Sequence, residues 1–425
     1  MYSTTDHNLT LAVPRLSSFP QPEVSSVLVS HQKPTQLLLS HVLVRVDRFG
    51  FTANNVTYQT LGEEPHFRYF DFHSAPDTDG VSAKTHGLFP VWGFGDIVAS
   101  NHPIAKVGER VYGYFAPARY VVLELSTNDL NKYFYYVPRP HLPPDRRPYN
   151  QVIRCAADEQ YDPDPLAEDL AMLYRPLYWT SFWCEDWLFT SDYRGGAKFV
   201  FISSASSKTA FCLAYCIQLR IRNKEIPADT RIIGLTSKRN IGFTKRLGLY
   251  HEAVSYDDIN EKSFDSGARA IYIDVAGSDE LNKKVLMMKG PLFVAAIKLG
   301  MSNVTPAKLG AKNAWTKNVA LEGTATRTSS TKAPELETFF MVEWLAVRVR
   351  QLSSKKIVGM QANAWKRLLI DARGWVEITR VYGGEKVKVA YDSGLKNGLR
   401  AEDGYVWSMW DEQTEVVKAG GKSKL

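Results

Sequence analysis

The stretch of this chain best suited to holding an anion is Ser203-Ser204-Ala205-Ser206-Ser207-Lys208-Thr209-Ala210, which gathers five hydroxyl side chains and one ammonium. It follows the apolar run Lys198-Phe-Val-Phe-Ile202, which reads as a strand, and leads into residues 209–222, which read as a helix. A turn here would set Ser204, Ser206, Ser207, Lys208 and Thr209 at a helix N-terminus, where unpaired N–H groups and the helix dipole attract phosphate. Dinucleotide-binding turns normally use glycines, which let the backbone turn tightly and approach the pyrophosphate. None is present: Ser204 and Ser207 stand where two glycines are expected, and Ala210 where alanine is tolerated for helix–strand packing. A serine forced to positive φ costs roughly 1 kcal/mol or more. Nucleotide hydrolysis is not predicted, because both glycines of GxxxxGK[ST] are missing. A serine-rich helix cap would account for one or two of the hydroxyls, but not for five with a lysine.

The end of the next predicted strand reads Leu235-Thr236-Ser237-Lys238-Arg239-Asn240. Sites selective for NAD place an acid there, and none occurs. Ser237, Lys238 and Arg239 can instead surround a 2′-phosphate, which points to NADP(H). The plainer reading is a solvated basic helix start.

The elements that must position these residues follow a clear order. Residues 1–35 are rich in Ser, Pro and Thr and read as an N-terminal arm. From residue 37 to about residue 126, short β-rich runs alternate with Gly and Pro turns, which predicts a barrel or sandwich. After a Pro-rich stretch the pattern becomes strand–helix alternation, with further strands around Ala253-Val-Ser-Tyr256, Ala270-Ile-Tyr-Ile-Asp-Val275 and Leu292-Phe-Val-Ala-Ala-Ile297. This predicts a parallel sheet with right-handed crossovers. The tail, with strands near residues 375–382 and 405–409, is expected to return to the first domain.

With 425 residues, 44% of them hydrophobic and 23% charged, the chain suits two globular domains. The net charge of +7 is spread along the sequence, not gathered in a stripe, which favours small anionic ligands over nucleic acid. Cys155, Cys184, Cys212 and Cys216 form no CxxC pair and no zinc-like spacing, and Cys212 and Cys216 read as buried packing. No signal sequence or membrane-length apolar run is seen, so the protein is expected to be soluble, unsecreted and without a membrane partner. The terminal Ser423-Lys424-Leu425 matches the tripeptide read by the peroxisomal import receptor, which predicts a peroxisomal protein.

The order of barrel, βαβ sheet and return segment resembles the medium-chain dehydrogenase/reductase superfamily, in particular its zinc-free quinone and enoyl reductases. Lys106-Val-Gly-Glu-Arg-Val-Tyr-Gly113, Leu247-Gly-Leu-Tyr-His-Glu-Ala-Val-Ser-Tyr256 and Asp274-Val-Ala-Gly277 are similar to motifs of that superfamily. Ala53-Asn-Asn-Val-Thr-Tyr58, Pro90-Val-Trp-Gly-Phe-Gly95 and Arg175-Pro-Leu-Tyr178 resemble a branch of it classed as a domain of unknown function. The resemblance implies an α/β chain in which a GroES-like β-barrel substrate domain, residues 36–185 plus 346–425, surrounds a Rossmann-like doubly wound parallel-sheet domain, residues 186–345. It implies no zinc, since Phe51-Thr-Ala-Asn-Asn-Val-Thr-Tyr58 lacks the ligands of zinc-dependent relatives. Tyr58 would be the proton donor, with Asn54 or Asn55 orienting a substrate carbonyl. Tyr256 would contact the adenosine phosphate, and Trp92, Phe94, Tyr174, Tyr178 and Thr180 would wall a substrate site.

These readings together predict an NADPH-dependent, zinc-independent reductase of an activated C=C or C=O in a small organic substrate, with an acyl-thioester or a polyketide-like molecule among the candidates. The resemblance also allows a homodimer. The glycine-free loop keeps open a redox-neutral lyase, cyclase or hydrolase with a reassigned cofactor cleft, and more weakly a silent binding protein.

Overall fold

The computed structural model describes residues 7–19, 25–262, 264–300 and 334–411. Ser423-Lys424-Leu425 therefore lies outside the described residues. The chain divides into two compact units, Met1–Leu173 with Ala364–Ala372 and Glu377–Leu425, and Tyr174–Asn363 with Arg373–Val376. The boundaries expected at residues 185 and 345 lie within helices, the first in α2 (Pro165–Thr190) and the second in the helix Met341–Gln351.

In the first unit the chain runs β1 (His7–Pro14), β2 (Val27–Gln32), β3 (His41–Phe51), α1 (Ala53–Thr60), β4 (His86–Gly87), β5 (Val91–Ser100), β6 (Arg110–Phe115), β7 (Tyr120–Glu124), β8 (Phe134–Tyr136) and β9 (Gln151–Arg154). The expected N-terminal arm is in part regular structure: β1 pairs antiparallel with β2, in the sheet order β2-β1-β4. In β1 the consecutive Leu11, Ala12 and Val13 are all fully buried, so both faces of the strand are covered, and that burial outweighs the loop-like composition around it. A larger sheet begins with two strands of the tail, β16 (Glu377–Tyr382) and β17 (Asp403–Ser408), and runs β16-β17-β3-β5-β6-β9-β8, with β7 also on β3. The two tail strands are parallel to each other. β17 pairs antiparallel with β3, so the tail does return to the first unit.

Residues 53–60 hold few good helix formers, yet they form α1. Thr52 and Asn55 make a reciprocal capping box, the Asn55 side chain accepting from the Thr52 N–H at 2.8 Å.

After α2 comes the short α3 (Asp192–Gly196), whose residues hold left-handed φ angles. Then follow β10 (Phe199–Ile202), α4 (Lys208–Arg222), β11 (Arg231–Thr236), α5 (Ile241–Arg246), β12 (Glu252–Ser255), β13 (Arg269–Asp274), α6 (Asp279–Leu286), β14 (Leu292–Lys298), β15 (Leu336–Thr338), α7 (Met341–Gln351) and α8 (Ser354–Asp371). Helix α9 (Gly384–Asn397) links β16 to β17. The six-stranded sheet of the second unit is parallel throughout, in the order β12-β11-β10-β13-β14-β15. In order of appearance that is 3-2-1-4-5-6, the arrangement of dinucleotide-binding sheets, whose crevice opens beside the first strand where the order reverses. Fully buried Val200, Phe201, Ile232, Ile271 and Ile273 fill the strands, as a sheet covered on both faces requires.

Candidate functional site

The reversal point lies between β10 and β13, and their C-terminal ends are tied together. The hydroxyl of Ser203 donates to Asp274 Oδ1 at 3.0 Å and accepts the N–H groups of Val275 and Ala276 at 2.8 and 3.0 Å. Asp274 also accepts from the Gly277 N–H and from Asn282 Nδ2, both at 2.9 Å. Burial raises the Asp274 pKa, and these donors oppose the rise. Neither Ser203 nor Asp274 was singled out from sequence as a site residue, although both lie in motifs that were.

Ser204 adopts φ +51°, so this glycine-free loop still makes the left-handed turn that glycine usually provides. Its N–H donates to the Tyr256 hydroxyl at 2.9 Å, and Tyr250 donates to the Ala205 carbonyl at 2.8 Å. Tyr256 thus supports the loop directly, and burial pushes its phenol to about 12. Ser206 is buried and bridges to the next strand, accepting from Asn240 Nδ2 at 3.0 Å and Thr236 Oγ1 at 3.3 Å. Ser207 caps α4, its side chain accepting from the Ala210 N–H at 3.4 Å. Lys208 and Thr209 form the first turn and are half-buried. The five loop residues named from sequence therefore come together at one helix N-terminus, but Ser206 and Ser207 are used by the fold itself.

Positive φ strains a serine, and a β-branched side chain more so. Ser204→Gly is expected to leave stability unchanged or raise it by up to about 1 kcal/mol, whereas Ser204→Val should cost roughly 2 kcal/mol. Thermal denaturation of both variants checks this, and equal losses in the two would contradict it.

At the end of β11, Ser237 is half-buried while Lys238 and Arg239 are exposed in a single 3-10 turn. The residues predicted to recognise a 2′-phosphate thus follow the strand neighbouring β10.

In the first unit, Asn54 and Tyr58 sit one turn apart on α1, and Asn54 Nδ2 donates to the Tyr58 oxygen at 2.6 Å. Burial holds the Tyr58 phenol well above its ordinary pKa, so it stays protonated at neutral pH. Asn55 does not share the expected orienting role. Its oxygen closes the capping box and its Nδ2 donates to the Pro90 carbonyl at 3.0 Å. Trp92 packs on Tyr114 and Tyr112 at centroid distances of 4.9 and 5.5 Å.

The other residues of the predicted substrate wall pack within the two units. Phe94 is buried against Tyr112 and Tyr161 in the first unit. Tyr174 and Tyr178 are fully buried in the second, Tyr174 against Phe211 and Trp375. Thr180 Oγ1 donates to the Pro176 carbonyl of its own helix at 3.2 Å. Apolar spacing along α2 produced core packing, which aromatic content alone does not distinguish from a pocket. Cys212 and Cys216 are buried, as their helical spacing predicted. Among the described residues no group of three or more His, Cys, Asp or Glu could hold a metal ion, and no helix is long and apolar enough to cross a membrane.

A family model described as protein of unknown function (DUF2855) matches residues 49–400. The chain belongs to this family. No curated protein matches this DUF2855 member. Among solved structures it is similar to the CurF ER cyclopropanase from the curacin A biosynthetic pathway, at 15% identity and a TM-score of 0.51, covering 94% of this chain and 99% of that one. It is also similar to mycobacterial Rv1454c complexed with NADPH, at 11% identity and a TM-score of 0.51, with the same coverage. At such identities these likenesses establish the fold alone, a two-domain α/β architecture shared with these enzymes.

Proposed function

We propose that this DUF2855 protein is an NADPH-dependent, zinc-independent reductase of an activated C=C or C=O in an organic substrate, working in the peroxisome. The observation that carries the reading is the preformed left-handed turn of Ser204 at the reversal point of a 3-2-1-4-5-6 sheet, with Lys238 and Arg239 exposed after the neighbouring strand. Loop amides and the start of α4 suit a pyrophosphate, and the basic pair suits a 2′-phosphate. The NADPH bound by Rv1454c, on the same fold, supports the same choice. Bound NADPH would supply hydride. Tyr58, protonated and oriented by Asn54, would supply a proton.

Incubating the purified protein with peroxisomal extract, with and without NADPH, tests the reading by mass spectrometry. A product two mass units heavier than its precursor, formed only with NADPH, is the expected result. Turnover independent of NADPH would favour the redox-neutral alternative, whose motivation is that the Ser204 amide is already taken by Tyr256.

The peroxisomal part has its own test. Deleting Ser423-Lys424-Leu425 from a protein tagged at its N-terminus should move fluorescence from puncta to cytosol. Puncta that persist would show the tripeptide to be incidental.

A further inference from the structure

Arg139, in the loop after β8, is 8% exposed, yet among the described residues no carboxylate pairs with it. Its Nε donates to the Phe72 carbonyl and its Nη1 to Asn150 Oδ1, both at 3.0 Å, and its Cζ stands 5.2 Å from the Phe72 ring centroid. A guanidinium carries five N–H donors; two are used here, so three are left. Burial pushes the Arg139 pKa down to about 10, and only the phenols Tyr114 and Tyr136 oppose the fall. His73, whose Nε2 donates to the Tyr114 carbonyl at 2.9 Å, brings no charge at neutral pH, because burial and Arg139 push its pKa to about 3.

Asn150 is 3% exposed. Since its oxygen accepts from Arg139, the other end of the amide is fixed as the nitrogen, which donates to no described group. Enclosed side-chain polar atoms without a partner include the Trp183 and Trp407 indole nitrogens but neither Asn150 Nδ2 nor Arg139 Nη2, so both of these reach solvent. Close by, Tyr149 lies 6.0 Å from Phe72, and Arg146, 1% exposed, stands 5.7 Å from the Tyr149 ring and pairs with Asp145 at 2.9 Å. Two buried guanidiniums therefore stand here with one carboxylate. A buried charge left without a counter-charge is costly, and an anion at the open donors offsets that cost.

We propose that Arg139 and Asn150 form a binding site for the carboxylate of a small ligand, with Arg139 donating to both oxygens and the Asn150 amide to one of them. A carboxylate monoanion matches the single excess positive charge, which a phosphate dianion would exceed. Its planar pair of oxygens also fits the planar guanidinium fork. The site belongs to the first unit, not to the one that holds the phosphate turn, and does not depend on the reductase reading.

The test titrates the full chain at constant ionic strength with acetate, inorganic phosphate or chloride and reads the melting temperature, which a bound anion raises by mass action. Acetate should bind saturably and about tenfold more tightly than chloride or phosphate. Arg139→Lys keeps the charge but loses the fork, and should weaken acetate binding about tenfold. Asn150→Asp is the sharper variant, because it sets a carboxylate on Arg139 from within the chain and changes the side-chain shape little. It should raise the melting temperature in the absence of acetate and abolish the response to acetate. Equal effects of the three anions, a preference for phosphate, or an acetate response that survives Asn150→Asp would overturn the proposal.

Discussion

Replacing both Lys238 and Arg239 with Ala should weaken NADPH binding about a hundredfold and leave NADH binding within about twofold. Hydrogen bonds to charged groups contribute roughly 1.5 to 3 kcal/mol each. Both side chains are exposed, so solvent screening keeps the pair near the lower end, about 3 kcal/mol in total. Lys208→Ala should differ in kind. It lies at the start of α4 beside the turn, so it should weaken both cofactors together through the pyrophosphate they share. Calorimetric titration of the two variants with each cofactor separates these roles. NADPH affinity that survives the double replacement in a folded protein would reduce the basic pair to a solvated helix start.

The second large effect concerns stability. Arg48, only 4% exposed, bonds Glu168 and Asp169 at 2.6 Å each. Arg110 joins Glu168, Asp47 and Asp96 at 2.6, 2.9 and 3.2 Å, and Arg380 reaches Asp169 from β16. Strands β3, β5 and β6, the start of α2 and the returning tail are thereby joined through one buried charge cluster. Arg48→Ala removes one cation from each of two buried carboxylates, leaving Glu168 to Arg110 and Asp169 to Arg380 alone. The expected cost is about 3 to 5 kcal/mol, which for a unit of this size lowers the melting temperature by roughly 10 °C. Differential scanning calorimetry reads it directly. A loss under about 1 kcal/mol would mean that the cluster behaves like surface ion pairs.

None of that cluster was legible in the sequence, because its members are scattered from Asp47 to Arg380 and each looks like an ordinary surface charge. The parallel sheet was legible, since apolar runs such as Lys198-Phe-Val-Phe-Ile202 carry their own signal and helices of ordinary length separate them. So was the strained loop position: Ser204 stands where a glycine is expected, and it does hold positive φ. Strand β1 was missed because its partners are distant in sequence, Gln32 at one edge and His86 at the other, and pairing leaves no mark on local composition. Asn55 was misread for a similar reason. As a residue type it suits a substrate carbonyl and a helix cap equally, and only the position of Thr52 relative to α1 decides between them. Tyr174 and Tyr178 show the limit of aromatic content, which reports burial without saying whether a ligand or the core fills the other side.

On the proposed function, the second unit binds NADPH and selects it by its 2′-phosphate. Side-by-side calorimetric titration of the full chain with NADPH and NADH tests it most directly. Saturable binding of NADPH, about a hundredfold tighter than that of NADH, is the expected result. Equal affinity for the two, or no binding of either, would contradict it.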